Sequence, residues 1–414
     1  MDPRLADLLR TILPVHRFYA RKFAGLPLDD WSKLPFTTKD ELLENQSKYP
    51  PYGELLTCPL DRYTRLHQTS GTKGAPLRWL DTPECWDWML GCWGKMFDIV
   101  GVTAADRLLF AFSFGPFLGF WTAFEAASRM GCLCLAAGGL SSGARLRMLL
   151  DNRATVVLCT PTYALHLAQF AQEQGVHLEA VRCLIVAGEP GGSIPATRAR
   201  IEQAWNARVF DHSGMTEVGP MAIECPANPG GLHILEDDYF AEVIDPATGV
   251  LLPLPSGSED AGEGGQIGEL VLTNLGRIGS PLLRYRTGDL VRIDPKPCPC
   301  GRKWMRLAGG ILGRTDDMIA IRGNNFYPSA LENVIRRFSD VVEYRAEIDR
   351  SSPLAEMRIE IEAADHARTN LAARVCDAIR DELMFRAEVA LVAPGTLPRF
   401  EMKAQRICIK PGQL

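Results

Sequence analysis

A loop of hydroxyl-bearing residues, glycines and one lysine, Thr69-Ser70-Gly71-Thr72-Lys73-Gly74, has the composition of a phosphate-binding segment. Glycines let backbone N–H groups approach phosphate oxygens, and the hydroxyls and lysine add donors and positive charge. The spacing is not that of a Walker A loop, which requires GxxxxGK followed by Ser or Thr. Taken alone, the loop fits a phosphate site and a solvated surface turn about equally well.

Three later segments each combine a glycine with charged residues. They are Asp211-His212-Ser213-Gly214-Met215-Thr216-Glu217, Tyr285-Arg286-Thr287-Gly288-Asp289 and Gly313-Arg314-Thr315-Asp316-Asp317. Each alone could be an ordinary turn. In this order, and preceded by the hydroxyl-rich loop, they resemble the core motifs of the adenylate-forming superfamily. That superfamily contains acyl-CoA ligases, peptide-synthetase adenylation domains and luciferases.

Four further segments make the chain most similar to the phenylacetate–CoA ligase family. They are Ala187-Gly188-Glu189-Pro190-Gly191-Gly192, Gly231-Leu232-His233-Ile234 with Glu236-Asp237, Cys298-Pro299-Cys300-Gly301-Arg302, and Gly395-Thr396-Leu397-Pro398-Arg399. The similarity runs from about residue 34 to residue 407, which is nearly the whole chain. Chance similarity does not account for several independent motifs in a fixed order.

The resemblance implies which residues handle the phosphates of ATP. The loop of residues 69–74 would hold the β- and γ-phosphates, and Thr216 would contact the α-phosphate. Glu217 would hold Mg²⁺ against the phosphates, so Thr216 and Glu217 belong to the implied catalytic set. CoA is the implied thiol acceptor, and a small carboxylic acid is the implied substrate.

The resemblance also implies a nucleoside-binding set. The segment Gly188-Glu189-Pro190 would line the adenine pocket, and Asp289 would accept the ribose hydroxyls, a geometry that suits paired O–H donors. Arg314 and the Asp211-His212-Ser213 segment complete the implied nucleotide contacts. Related sequences usually carry an aromatic residue at the position of Ser213, so the stacking partner of adenine is missing there.

Lys403 matches the C-terminal lysine of the family, in the segment Pro398-Arg399-Phe400-Glu401-Met402-Lys403. Its cation would bridge the attacking carboxylate and the α-phosphate, where negative charge accumulates. The alternative is a solvated surface lysine near a frayed terminus. Met402 departs from the family, which typically has glycine at that position. Asp316 stands at the implied hinge, where backbone dihedral changes would let a small C-terminal domain rotate between two half-reactions.

Cys225, His233, Cys298 and Cys300 match a Cys–His–Cys–Cys pattern found in relatives, and a Cys₃His set is a common closed site for structural zinc. The pattern therefore predicts Zn²⁺. The alternative is three buried thiols and one satisfied histidine, since C-x-C is less specific than C-x₂-C. Cys132 and Cys134 lie in an apolar strand pattern, where we expect core packing rather than ligation. The remaining cysteines show no useful spacing.

An aromatic run contains Phe112, Phe114, Phe117, Phe120 and Trp121, interrupted by glycines and a proline. In relatives the matching region helps to form the acyl-binding side of the cleft, so an apolar or aromatic acid is expected. Most residues of such a run are ordinarily core. We therefore expect only one or two of these rings to face substrate.

Buried apolar runs alternating with helical patterns predict an α/β large domain with a largely parallel sheet. The predicted strands are residues 107–112, 132–136, 155–159 and 183–186, and the predicted helices are residues 163–174 and 195–205. Strands at residues 240–244, 269–273 and 290–293 predict an antiparallel subdomain. Helices at residues 328–338 and 368–384, with strands around them, predict a small mobile α+β domain. The expected domains are residues 1–314 and 315–414.

The composition is that of a folded protein, with 46% apolar and 23% charged residues. The net charge of −5 and the absence of a long basic run argue against nucleic acid or an anionic membrane as partner. The most apolar segment, residues 108–124, contains glycines and a proline, and we expect buried strand and loop there rather than a membrane span. Twelve cysteines without a secretory signal favour a reducing cytoplasm.

Three functions remain open from the sequence. The first is an acid–CoA ligase that uses ATP and Mg²⁺. The second is an adenylating enzyme that transfers the acyl group to an amine, another nitrogen nucleophile or a carrier-protein thiol. The third is a nucleotide-binding protein without turnover, which need not retain the phosphate loop, Glu217, Asp289 and Lys403 together. A homodimer is an expectation of the family alone.

Overall fold

The computed structural model describes residues 1–69, 75–253, 265–321, 324–349, 356–364, 369–400 and 404–410, and of residues 320, 324 and 325 it describes the backbone alone. Residues 256–265, whose many glycines and acidic residues predict an exposed loop, lie almost entirely outside these ranges. Within them the helices are α1 (Pro3–Ile12), α2 (Arg17–Lys22), α3 (Lys39–Lys48), α4 (Pro83–Val100), α5 (Trp121–Arg129), α6 (Ser142–Asp151), α7 (Pro161–Glu173), α8 (Pro195–Trp205), α9 (Pro328–Arg336) and α10 (Leu371–Leu383). Short 3-10 helices lie at Trp31–Lys33 and Leu60–Arg62.

The strands of the first half of the described chain are β1 (Arg65–Gln68), β2 (Arg78–Asp81), β3 (Arg107–Phe110), β4 (Leu133–Ala136), β5 (Val156–Cys159), β6 (Cys183–Val186), β7 (Arg208–Met215), β8 (Gly219–Ile223), β9 (Gly231–Ile234) and β10 (Tyr239–Ile244). Those of the second half are β11 (Ile267–Asn274), β12 (Tyr285–Arg292), β13 (Arg306–Ala308), β14 (Gly313–Arg314), β15 (Ile319–Ile321), β16 (Asn324–Phe326), β17 (Val341–Asp349), β18 (Glu356–Ala363), β19 (Glu388–Val392) and β20 (Ile407–Lys410).

An eight-stranded sheet with the order β13-β9-β8-β7-β6-β5-β3-β4 forms the centre of the molecule. Its strands β4, β3, β5, β6 and β7 run parallel, and β8, β9 and β13 extend it with antiparallel pairing. Alternate residues of the parallel strands enter two different core clusters, as Leu158 and Val157 do on β5. The sheet is thus buried on both faces, which explains why these strands read as continuous apolar runs.

A four-stranded antiparallel sheet, β10-β11-β12-β14, confirms the predicted antiparallel subdomain. The predicted strand at residues 290–293 is longer than expected, because β12 begins at Tyr285. Its pairing with β11 shifts between Glu269 and Val271, and Gly288 at that irregularity has φ +75°. Only glycine adopts this conformation readily, which accounts for its place at the bulge. The residues from Tyr285 to Asp289, which the sequence suggested could be a turn, therefore belong to one bulged strand.

The last part of the chain has its own core, formed by apolar residues between Ile319 and Ala387. Its sheet has the order β19-β18-β17-β20, with α9 and α10 among the elements of the same core. The predicted α+β character is confirmed, and the strand β20 pairs in parallel with β17. The boundary between residues 314 and 315 stays a prediction.

The aromatic segment after β3 differs in one respect from the prediction of strand and loop, because helix α5 begins at Trp121. Aromatic residues near the start of α5 made its helical periodicity difficult to recognise in the sequence. In the described part of the chain, no helix is long and apolar enough to span a membrane.

Candidate active site

The carboxyl ends of the parallel strands carry several of the predicted site residues. Gly188 and Glu189 follow β6, and Asp211 lies beside the last residue of β6 in the register of β7. Ligand sites of open α/β sheets form at this edge. The base of the predicted phosphate loop is also fixed, because Thr69 N–H donates to Leu77 O and Leu77 N–H donates to Thr69 Oγ1, both at 3.0 Å. Residues 70–74 lie outside the described part of the chain.

Thr216 and Glu217 occupy the turn between β7 and β8, and both are buried. Gly219 closes this turn with φ +102°, and a side chain there would lie 2.9 Å from the Tyr239 hydroxyl. The Glu217 Oε1 atom accepts a hydrogen bond from Lys39 Nζ at 2.9 Å and lies 3.5 Å from the Tyr285 hydroxyl. The turn therefore presents a buried carboxylate that already neighbours one positive charge.

Arg277 supports the backbone of the Thr216–Glu217 turn. Its Nη1 atom donates to the backbone oxygens of Thr216 at 2.9 Å and Glu217 at 3.0 Å. Its other nitrogens form a two-point ion pair with Asp81, 2.7 Å on each side, and both side chains are fully buried. Burial opposes ionisation of Asp81, yet Arg277 and His67 hold its pKa below the ordinary value. Strand β2, which follows the predicted phosphate loop, is thus tied directly to the Thr216–Glu217 turn.

Asp289 and Arg314, both predicted to contact the nucleotide, lie together. Arg314 Nη1 donates to Asp289 Oδ1 at 2.9 Å, across the pairing of β12 with β14. Tyr285, on the same strand as Asp289, brings its hydroxyl close to Glu217 in the Thr216–Glu217 turn. Burial and the Glu217 carboxylate keep the pKa of Tyr285 well above its ordinary value. Asp316, the predicted hinge residue, is exposed, and its Oδ1 atom lies 3.2 Å from Arg314 Nε.

Glu189 lies half-buried between the exposed Gly188 and Pro190, and both of its carboxylate oxygens accept backbone hydrogen bonds. The Oε1 atom accepts from the Thr162 backbone N–H at 2.8 Å, in the first turn of α7. The Oε2 atom accepts from the Ala404 backbone N–H at 2.7 Å. The side chain therefore joins the edge of the large sheet to the chain just before β20.

The side chains of Asp211 and His212 also have partners inside the protein. Asp211 accepts from the Ser193 hydroxyl, and burial raises the pKa of Asp211 to about 6. His212 Nδ1–H donates to Ala222 O at 2.8 Å, and burial lowers the pKa of His212 to about 4. The imidazole is consequently neutral at neutral pH, with its ring centroid 4.4 Å from that of Trp93. Their roles as nucleotide contacts, and that of half-buried Ser213, stay predictions.

The aromatic run is anchored to the same turn. Leu118 N–H donates to Thr216 Oγ1 at 3.3 Å, and Gln68 N–H donates to Pro116 O at 2.7 Å. Phe112 and Phe120 are buried in the core, as expected for most of the run. The half-buried rings are those of Phe114, Phe117 and Trp121. These three are the candidates for contact with an acyl group.

The predicted metal ligands come together at the edge of the eight-stranded sheet. The ligand atoms of Cys225, His233, Cys298 and Cys300 all lie within 4.8 Å of one another. Cys225 Sγ and Cys298 Sγ are 3.5 Å apart, as are Cys300 Sγ and His233 Nε2. Thiolates bound tetrahedrally at about 2.3 Å from Zn²⁺ would be separated by roughly 3.8 Å. The cluster therefore has the ligand types and dimensions of a closed structural metal site.

Lys403 lies outside the described residues, as do residues 70–74, so the structure does not test their assigned roles. The residues that the sequence did not reveal are Lys39, Tyr285 and Arg277. Lys39 sits at the start of α3, whose capping box between Thr38 and Glu41 could be read from the sequence. Nothing in that signal indicated that the adjacent ammonium reaches Glu217.

Comparison with known proteins gives consistent relatives. A family model for the C-terminal domain of AMP-binding enzymes matches residues 323–410. A phenylacetate–coenzyme A ligase of Pseudomonas putida is 32% identical over 389 residues, covering 91% of this chain and 84% of the relative. Another, of Thermus thermophilus, is 31% identical over 398 residues, with coverages of 90% and 85%.

The similarity of the chain to one solved ligase depends on the functional state of that ligase. A 2-hydroxyisobutyryl-CoA ligase in the postadenylation state matches with a TM-score of 0.90 and 28% identity, over 98% of this chain and 88% of that one. The same ligase in the thioesterification state, with 2-HIB-AMP and CoA, covers the same shares but gives a TM-score of 0.71. Because coverage is unchanged, the difference lies in how the parts are arranged. The chain is thus more similar in arrangement to the postadenylation structure than to the thioesterification structure.

Proposed function

The chain belongs to the phenylacetate–coenzyme A ligase family of AMP-forming acid–CoA ligases, and we propose that the acid it activates is small and aromatic. Such a ligase converts an acid and ATP to acyl-AMP and pyrophosphate, and then transfers the acyl group to CoA. The observation that carries the choice of acid is the hydrogen bond from Leu118 to Thr216. It ties the segment that carries three half-buried aromatic rings to the turn that would contact the α-phosphate.

In the first half-reaction, the substrate carboxylate attacks the α-phosphorus in line, so positioning and charge neutralisation dominate. Thr69 fixes the base of the phosphate loop, and Arg277 fixes the backbone of Thr216 and Glu217. Asp289, oriented by Arg314, would accept the ribose hydroxyls. The exposed backbone of Gly188 and Pro190 would line the adenine site, and Lys403 would neutralise charge between the two reacting groups.

Mg²⁺ fits the environment of Glu217. The carboxylate is buried at the cleft edge, it offers the hard oxygen ligand that Mg²⁺ prefers, and Lys39 already holds a positive charge 2.9 Å from it. The bound ion would draw charge from the phosphates. Lys39 would keep Glu217 oriented when the ion is absent.

For the second half-reaction, residues 315–414 would rotate as a small domain about the exposed hinge at Asp316. The postadenylation-like arrangement supports this proposal, because the related ligase shows a second arrangement in the thioesterification state. None of the twelve cysteines, all within the described ranges, forms a disulfide. That finding supports a reducing cytoplasm as the place of action.

The test of function is pyrophosphate release from MgATP across a panel of acids, with and without CoA. The panel should contain phenylacetate, benzoate and hydroxybenzoates, with 2-hydroxyisobutyrate as the aliphatic comparator. We expect release to depend on an aromatic acid and to rise when CoA is added. A preference for the aliphatic acid would contradict the aromatic assignment, and release that ignores CoA would indicate another acceptor.

We also propose that Cys225, His233, Cys298 and Cys300 bind one structural Zn²⁺. Purified protein should contain about one zinc per chain, and Cys298→Ser should lose it. Because metal binding contributes directly to folding, we expect the variant to melt roughly 5–10 °C lower. Elemental analysis and calorimetry measure the two effects.

The matched control is Cys408→Ser, which changes an exposed cysteine outside the cluster. It should retain both zinc and melting temperature. Wild-type protein with far less than one zinc per chain, prepared without chelators, would exclude the zinc assignment and leave a cluster of buried thiols.

A further inference from the structure

We propose that Glu189 is a positioning residue that holds the C-terminal segment in the adenylating arrangement. The proposal rests on the proposed function and adds to it a role for the Glu189 carboxylate itself. A residue that only lined an adenine pocket would need neither of the two backbone hydrogen bonds that this carboxylate accepts.

The first of these bonds fixes Glu189 within the large part of the molecule. Thr160 caps α7, so Thr162 N–H belongs to the free donors of the first helical turn. Its bond to Glu189 Oε1 satisfies one such donor, and a carboxylate is electrostatically favoured at this end of a helix. One oxygen is thereby used to orient the side chain, and the other points toward the C-terminal segment.

The second bond reaches across to that segment. Glu189 Oε2 accepts from Ala404 N–H at 2.7 Å, although the two residues are 215 positions apart in the sequence. Residue 404 directly follows Lys403, so the bond fixes the chain one residue from the proposed catalytic cation. A charge-assisted hydrogen bond of this kind is among the stronger ones available to a backbone N–H.

A neighbouring contact holds the same two parts together. Arg406 Nη1 donates to Thr162 Oγ1 at 3.1 Å, so Arg406 contacts the first turn of α7 directly, whereas Ala404 is linked to that turn through Glu189. Arg406 is itself anchored in the C-terminal unit, because its Nε and Nη2 atoms donate to Glu343 at 2.7 and 3.1 Å. Rotation of the unit would keep the bonds to Glu343 and break those to Thr162 and Glu189. The bonds from Ala404 to Glu189 and from Arg406 to Thr162, together called the clasp, therefore favour only one arrangement of the C-terminal unit against the rest of the chain.

Glu189→Gln is the discriminating substitution. The glutamine oxygen can accept from one of the two N–H groups, but its NH₂ group cannot accept from the other. Because Thr162 N–H is held in the first turn of α7, we expect the oxygen to remain on Thr162 and the bond to Ala404 to be lost. We expect kcat for adenylation to fall roughly 10- to 100-fold, with little change in KM for ATP. Thioester formation from supplied phenylacetyl-AMP and CoA, or from the adenylate of the best panel acid, should stay within about twofold of wild type, because that half-reaction uses the other arrangement.

Thr162→Val should shift the ratio of the two half-reactions in the same direction but by less, since it removes the hydroxyl and keeps the backbone donor. Asp106→Asn is the matched control. Asp106 accepts from the Thr103 N–H and from Arg182, and these bonds lie entirely within the large part of the chain. We expect this variant to lose stability without changing the ratio of the half-reactions.

Hydrogen exchange of ligand-free protein tests the clasp without any turnover. The amide of Ala404 should lose protection in Glu189→Gln and keep it in Asp106→Asn. Equal losses in both half-reactions, a rise in KM for ATP alone, or unchanged Ala404 exchange would each overturn the proposal. A wild-type enzyme that activates no acid would instead count against the proposed function, and the exchange result would still decide on the clasp.

Discussion

Replacing Lys403 by alanine is expected to lower the rate of acyl-adenylate formation by about 10²- to 10³-fold while ATP still binds. The proposed role is a cation between the attacking carboxylate and the α-phosphate, where charge repulsion is greatest. Loss of one such preorganised group from a transition state costs about this factor. ATP should remain bound because its proposed contacts with Asp289 and Arg314 do not involve Lys403. Pyrophosphate release and a direct ATP-binding titration measure the two quantities.

Lys410→Ala provides the control for this experiment. Lys410 is in the same C-terminal unit, but its ammonium is exposed and 2.6 Å from Glu347. Removing it should leave adenylation unchanged. The Lys403 variant should also convert supplied acyl-AMP and CoA to thioester at nearly the normal rate. Normal adenylation by Lys403→Ala would rule out the assigned role.

The secondary structure could be predicted where burial left a simple pattern. The strand Cys183–Val186 and the helix Pro195–Trp205 begin and end where the sequence predicted. The strand is buried on both faces, and the helix begins at a proline and ends before Asn206 in the left-handed conformation. Apolar runs and terminal residues of this kind are local signals.

The position of a residue within a sequence motif did not show where its side chain points in the fold. The Gly188-Glu189-Pro190 segment was predicted to line the adenine pocket, and that role of its backbone stays untested. The Glu189 carboxylate, however, bonds to Thr162 and Ala404, which lie 27 and 215 positions away. Contacts between residues so far apart depend on the tertiary fold, which local patterns do not encode.

The bulge in β12 shows a second limit. Tyr285 and Asp289 were grouped by their motif, and glycine between them suggested a turn. In the structure they belong to one strand, and Gly288 supports the irregular pairing that leaves Asp289 beside Arg314. A glycine in a strand pattern and a glycine in a turn give the same local signal.

Arg277→Met is expected to destabilise the protein by about 3–5 kcal/mol, because it leaves the fully buried Asp81 without its partner. The backbone oxygens of Thr216 and Glu217 would lose their donor at the same time. Adenylation by the remaining folded protein should therefore fall as well, with a higher requirement for Mg²⁺. Denaturant unfolding and Mg²⁺-dependent pyrophosphate release measure the two consequences.

Two further variants separate the ion pair from the support of the turn. In Asp81→Leu combined with Arg277→Met, no buried charge is left unpaired, so much of the lost stability should return. Activity should not return, because Thr216 and Glu217 still lack the donor that fixes their backbone. Arg129→Met breaks an exposed pair with Asp87, and its cost should stay below about 1 kcal/mol. If the double variant recovered both stability and activity, the role of Arg277 would be limited to pairing with Asp81. The Thr216–Glu217 turn would then keep its conformation without Arg277.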